Sequence, residues 1–343
     1  MSGSAIGPTP DASDELVQSA AELHTALSAA TGAVSLRIEG LIKLSEWPEA
    51  PIGQGPTILP WISGSRRLQS VTLWSLGNAT IDAEGRGRIF FVEEGGRLRL
   101  ENLHLTNGRT GPQFGGGCVW IQSESSVVTL RGVRLSNCTT TGEAGGGLFV
   151  VDARLSVEDC TFERCEVSPA RGSGYGGGLG MFSRALVEVH RTTFDATRVV
   201  SDLFTTYGGG AGVAGGTLLM ERVRFVWTSV TSQSNLCWGG GLGMIGGMAA
   251  VGESEWLGAS ATSVQSDAWG GGVGMRMGGR LDLSDSALRL CRVAGGRRGD
   301  GGGIGGGEGS EAELFNVLIE GAADGLPSPS LCWLAERARR VAA

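Results

Sequence analysis

GGGLFVVDARLSVEDCTFERCEVSPARGSGYGGG, Gly145 to Gly178, is one whole unit of this chain and the start of the next. A glycine triplet leads into a short apolar run, an alternating segment follows, and a second triplet closes the unit. Triplets also begin at Gly115, Gly208, Gly239, Gly270 and Gly301, so seven copies recur at spacings of 30 to 32 residues. A fixed period of that kind marks a solenoid built from stacked units.

Inside the unit Leu155-Ser-Val157 alternates with period two, as a strand with one buried face does. Superposing the units produces an apolar column of Leu100, Leu130, Val157, Val189, Met220, Val251, Leu283 and Leu314. Five residues on comes a bulkier one of Leu105, Leu135, Phe162, Phe194, Phe225, Trp256, Leu288 and Ile319. Helical repeats are excluded because glycine-rich units cannot supply a stable helix. About 31 residues with two or three short strands make one coil of a parallel β-helix, with coils about 4.8 Å apart. The triplets are expected at corners, where the backbone needs positive φ or a close approach.

Composition agrees. Of 343 residues 60 are glycine but only 10 proline, with no Gly-X-Y period, which excludes collagen; 41% hydrophobic content excludes a disordered chain. A net charge of -7 leaves no basic field for nucleic acid or an anionic membrane. Phe225 to Gly252 carries no charge over 28 residues, yet it keeps the repeat phase and is read as part of the solenoid rather than as a membrane span. Seven cysteines without a CxxC pair and three scattered histidines supply no zinc site, and neither a cofactor nor a metal is expected. The N-terminal stretch has neither a basic nor an apolar leader segment.

Residues 11–31 are expected to form a helix, with Leu16, Ala20, Leu23, Leu27 and Ala30 on one face and Gly32 as the stop. Its role is to cap the first coil, whose strand edges and apolar end need covering. The expected divisions are a tail and capping helix over 1–33, the β-helix over 34–325 with regular repeats from 115, and a tail or second cap over 326–343. Residues 34 to 75, with Trp47 and Trp61, are expected to make irregular first coils.

The segments GNATIDAEGRGRIFFVEEGGRLRLENLHLTNG, Gly77 to Gly108, and LSVEDCTFERC from Leu155, together with the GGG-apolar corners, resemble right-handed parallel β-helices of the pectin-lyase-like superfamily. The chain looks most like the passenger region of chlamydia-type polymorphic outer membrane proteins. Phe162, Phe194 and Phe225 occupy the phenylalanine of that family's FxxN motif, with Cys165, Thr197 and Thr228 at its asparagine. The resemblance implies the right-handed coil, a cell-surface or extracellular location and an adhesin-like role.

Four sets of residues are candidates for chemistry. Glu101, Arg131, Glu158, His190 and Glu221 form a column of alternating sign, read as a solvated charge ladder. Glu163 and Asp195 share a column on successive coils, with carboxylates roughly 5 Å apart, as a retaining glycosidase uses them. Phe114, Tyr175, Tyr207, Trp238 and Trp269 precede triplets: on an exposed corner they would bind sugar rings, Trp238 and Trp269 best, and on the inside they would pack on one another. Cys138, Cys165 and Cys291 share a column, read as a ladder of buried thiols with a Cys138–Cys165 disulfide as the alternative. No clustered acids with a poised base appear. The expectation is a monomeric, non-catalytic surface module whose partner is a polysaccharide or another surface protein; the alternative is a carbohydrate-active enzyme or a glycan-binding β-helix.

Overall fold

A computed structural model describes residues 15–46, 59–112, 115–307, 309–321 and 323–324. After the triplet at Gly145 the chain forms strand Leu148–Val151, turns into Arg154–Glu158, bends into Thr161–Glu163, bends again into Glu166–Val167, and reaches the next triplet through Gly174–Tyr175. Strands pair in parallel with their equivalents one coil away, so the coils stack into four sheets. Sheet 1, of 9 strands, follows the triplets; sheet 2, of 19, takes both strands of the alternating segment; sheets 3 and 4, of 8 and 5, close the coil. The protein is an all-β parallel β-helix.

Both apolar columns are in register along their full length, Leu100 to Leu314 and Leu105 to Ile319. They face inward with Leu148 and Val150 of sheet 1 and form one apolar core. A smaller core of Val167, Val199, Val230, Cys237, Ala261, Ala268 and Val293 lies under sheet 3. Corners are tight. Each coil passes from the first to the second strand of sheet 2 through one left-handed residue, such as Asp159 at φ 54°, and leaves sheet 2 through another, such as Arg164 at φ 50°.

The triplet at Gly145 shows why glycine recurs. Gly145 turns with φ 65°. A Cβ on Gly147 would stand 3.0 Å from the Phe162 ring and 3.3 Å from Cys165 Sγ, so the third glycine makes room for the core side chains of its own coil.

That alignment corrects the first triplet. Gly116, not Gly115, carries positive φ, and Val119 pairs with Leu148. Cys118 therefore takes the place that Gly147 holds one coil later, facing Cys138, and the two form a disulfide with Cα atoms 5.5 Å apart. The Cys138–Cys165 bond is thereby excluded. Cys165 and Cys291 remain buried thiols in the column, and desolvation pushes both up to about 12.

The amino-terminal helix is shorter than expected. Glu15–Val17 is a strand paired with Gly32–Ile38, and the helix, α1, spans Ala20–Ala29. Ser19 sets its start: its hydroxyl accepts from the Glu22 N–H at 3.2 Å, while the Glu22 carboxylate accepts from the Gln18 N–H at 2.8 Å. Ala20, Leu23, Ala26 and Leu27 of α1 join the main core beside Leu36 and Ile38, which closes the first coil. The described parts of the first coils are paired but uneven, in line with the irregular coils expected over 34 to 75. Gly32–Ile38 and Leu41–Lys43 pair in parallel with Leu68–Asp82, with a register shift at Gly32/Ala33, and Leu68–Asp82 pairs in turn with Arg97–Thr106, with a shift at Trp74/Ala79. Residues 11–14, Trp47, Phe114 and the 326–343 segment lie outside the described residues.

Candidate functional site

The charge column is in register from Glu101 through Arg131, Glu158 and His190 to Glu221 on the outer surface of sheet 2. Arg131 lies 3.6 Å from Glu158, and His190 Nδ1 lies 3.3 Å from Glu221. Left-handed corner residues beside it pair in the same way, Arg191 with Asp159 at 2.7 Å and Arg222 with Glu253 at 2.9 Å. Exposed pairs of this kind are worth well under about 1 kcal/mol each. Each sets a charge beside its opposite on a neighbouring coil.

Glu163 and Asp195 are paired residues on adjacent coils of sheet 2. Glu163 is fully engaged: Arg134 Nε donates to it at 2.9 Å, a second nitrogen of Arg134 also donates, and Arg164 lies 2.6 Å away. The hydrogen bond from Arg134 holds the Glu163 carboxyl below the usual carboxylate range. His104, whose Nε2 lies 2.7 Å from the Ser136 hydroxyl, is pushed down by burial and then by Arg134. A general acid in a glycosidase requires a carboxyl raised above its ordinary value. Glu163 is shifted the opposite way.

Tyr175, Tyr207, Trp238 and Trp269 each end a two-residue strand of sheet 4 and stand in register. They belong to neither apolar core. Tyr175 stacks on Tyr207 with centroids 4.8 Å apart and rings 3° from parallel, and Trp238 stacks on Trp269 at 5.2 Å and 5°. Tyr207 is only 2% exposed and Trp238 3%. The outer face of Trp269 is taken by the Arg298 guanidinium, 4.9 Å from its centroid. Burial pushes the Tyr175 hydroxyl up to about 12. Ring faces in this run are therefore occupied by one another and by arginine.

The run is longer than the triplet spacing reveals. Trp61, Phe91, Trp120, Phe149 and Phe182 continue it toward the amino terminus, each ring 4.8 to 6.1 Å from the next, and Tyr175 meets Phe182 at 4.9 Å. Arg88, fully buried, lies 4.7 Å from the Trp120 ring and donates to the carbonyls of Gly115 and Gly116 at 2.6 and 2.9 Å; desolvation pushes it down to about 9. The run changes strand where the outer residue of sheet 1 becomes glycine. Phe149 pairs with Gly180 and that column continues as Gly212, whose Cβ would strike Gly176 N at 2.3 Å.

One residue absent from the sequence reading is Trp227. It occupies the left-handed corner between sheets 2 and 3 at φ 51°, and it is 59% exposed. Its ring lies over Gly258 of the next coil, where a Cβ would come within 2.2 Å of two ring carbons. Among the described residues no group of three or more histidine, cysteine, aspartate or glutamate side chains is placed to hold a metal, and no helix is long and apolar enough to cross a membrane.

No family model and no curated protein matches the sequence. Among solved structures the chain is similar to a pectate lyase from Bacillus sp. N165 solved in complex with trigalacturonate, over 95% of this chain and 88% of that one, at 13% identity and a TM-score of 0.36. A likeness that loose adds nothing to the fold, which stands on the register of the coils.

Proposed function

We propose that the protein is a non-catalytic interaction module, a stiff solenoid that holds a partner along one outer face. The observation that carries this reading is the state of Glu163. The acid best positioned for polysaccharide cleavage is an ion-paired member of a surface ladder, bound by Arg134 and Arg164 and held in its charged form. The Cys118–Cys138 disulfide favours an oxidising compartment, in keeping with the cell-surface or extracellular location that the resemblance to polymorphic outer membrane protein passengers implies. An adhesin-like role belongs to the same reading.

The second reading, a carbohydrate-active enzyme, rests on Glu163 and Asp195 standing in register one coil apart, about 4.8 Å along the axis. The two separate in one assay. Protein incubated with a panel of plant and microbial polysaccharides is expected to release neither new reducing ends nor unsaturated products. Release that disappears in Glu163→Gln overturns the interaction module and establishes the enzyme.

A further inference from the structure

The uncharged stretch from Phe225 to Gly252 acquires a location in the fold. It supplies the corner residue Trp227 and then the sheet 3 strand Ser229–Ser232, which pairs with Ser260–Ser263 of the next coil. Along each strand alternate residues are buried: Val230, Ser232, Ala261 and Ser263 point inward, while Ser229, Thr231, Ser260 and Thr262 point out. Those four hydroxyls make no hydrogen bond within the described residues. Register places them at the corners of a rectangle about 5 Å by 7 Å, from the coil spacing and the two-residue strand repeat. In their two columns charge returns only with Arg198, one coil earlier and turned onto Glu166 at 2.7 Å, and with Arg292, one coil later.

Trp227 borders this strip, and nothing in folding calls for a tryptophan there. A bulky side chain in the left-handed region is disfavoured by roughly 1–2 kcal/mol. The same corner is taken by Asn107 and Asn137 in earlier coils and by Gly258 in the next. The indole leaves more than half its surface in solvent instead of joining either core. Ala196 and Gly258 flank it along the corner, so no neighbouring ring takes its outward face. Leu290, 46% exposed, extends the apolar border one coil further.

We infer that Trp227 and the Ser229, Thr231, Ser260 and Thr262 hydroxyls form a binding face for an uncharged polysaccharide. The proposal rests on the protein being an interaction module and names the ligand class. A flat hydroxyl strip without ionisable groups matches a polymer that presents hydroxyls and no charge, and the open indole face offers stacking for one sugar ring. A polyuronate finds no cation in the centre of this strip to offset its carboxylates.

Native affinity electrophoresis tests it, with the full chain run through gels containing hydroxyethylcellulose, galactomannan, xyloglucan or polygalacturonate. Retardation is expected in at least one neutral polymer, independent of added salt, with none in polygalacturonate. Trp227→Asn and Trp227→Gly, which suit the left-handed corner, are expected to melt at or above the wild-type temperature and to weaken retardation about tenfold. Trp269→Ala, in the stacked outer run, is expected to leave retardation unchanged. No retardation of wild type in any neutral polymer, retardation by polygalacturonate alone, or undiminished retardation of both Trp227 variants overturns the proposal. Polymer cleavage during the same runs overturns the non-catalytic reading instead, so the two failures are distinct.

Discussion

Two stacks of aromatic rings climb the solenoid with almost the same spacing, one inside and one outside. Phe162, Phe194, Phe225 and Trp256 stack within the core at 4.8 to 5.1 Å, and the sheet 4 pairs stack beyond it at 4.8 and 5.2 Å. The coil rise alone imposes this distance, so a ladder of evenly spaced rings records the repeat and nothing about a ligand. What differs is the support. Inner rings lie on the third glycine of their triplet, with Cβ positions on Gly178 and Gly210 falling 2.6 and 2.4 Å from Phe194 and Phe225. Outer rings lie on one another and under arginines. Trp227 shares neither arrangement and keeps a face to spare.

The broadest way to break the comparison is to change the number of coils. Deleting residues 208–238 removes one unit and brings Phe194 against Trp256 and Tyr207 against Trp269, so both stacks rejoin and the chain is expected to keep its strand spectrum and melt cooperatively. Deleting residues 208–223 removes half a unit and is expected to abolish cooperative melting. Circular dichroism melts of the two deletions decide it, and a folded half-unit deletion contradicts the register.

Substitution then separates inside from outside. Phe194 is fully buried between two rings, and Phe194→Ala leaves a closed cavity, with an expected loss of about 3–5 kcal/mol. Trp238→Ala opens a groove that water can fill, so the cavity contribution largely vanishes and about 2 kcal/mol is expected. Denaturant titration measures both. Equal losses at the two positions mean that the outer run is a core in its own right.

The Cys118–Cys138 bond is of intermediate weight. It closes a loop of 20 residues in sequence and is expected to contribute about 3 kcal/mol through the unfolded chain. Cys118→Gly restores the residue that later coils carry at this place; it is expected to melt lower than the oxidised protein and to lose its sensitivity to reductant. A variant that melts with the oxidised wild type refutes that estimate.

Much of this was legible because a repeat states each residue several times. Both apolar columns, the charge ladder and the placing of Glu163 beside Asp195 follow from counting alone. Counting failed where a single coil departs from the rest. Starting the first triplet at Gly115 rather than Gly116 hides Cys118 from Cys138, a shift of one residue that the backbone dihedral and the pairing of Val119 with Leu148 expose. The side on which Tyr207 and Trp238 lie was not legible, because a two-residue strand shows no alternation. Trp227 escaped because a left-handed corner has no hydropathy signature. Ser19 and Glu22 do carry a capping signal, but the apolar spacing from Leu16 places the start of the helix upstream of it.

The smallest expected effect concerns the last ring of the inner stack. Trp256 is fully buried, and its Nε1 has no hydrogen-bond partner among the described residues; a Cβ on Gly241 would stand 2.5 Å from that nitrogen. A buried donor left unpaired costs about 1–3 kcal/mol. Trp256→Phe removes that donor and extends the phenylalanine stack by one ring, but it leaves a void where the rest of the indole was, at a cost of similar size. The two contributions oppose each other, so stability is expected to stay within about 1 kcal/mol of wild type, far from the result for Phe194→Ala in the same column. A fall of about 3 kcal/mol or more means that the indole nitrogen is satisfied in solution and that the tryptophan is a specific fit to Gly241. Denaturant titration of Trp256→Phe beside Phe194→Ala reads the difference directly.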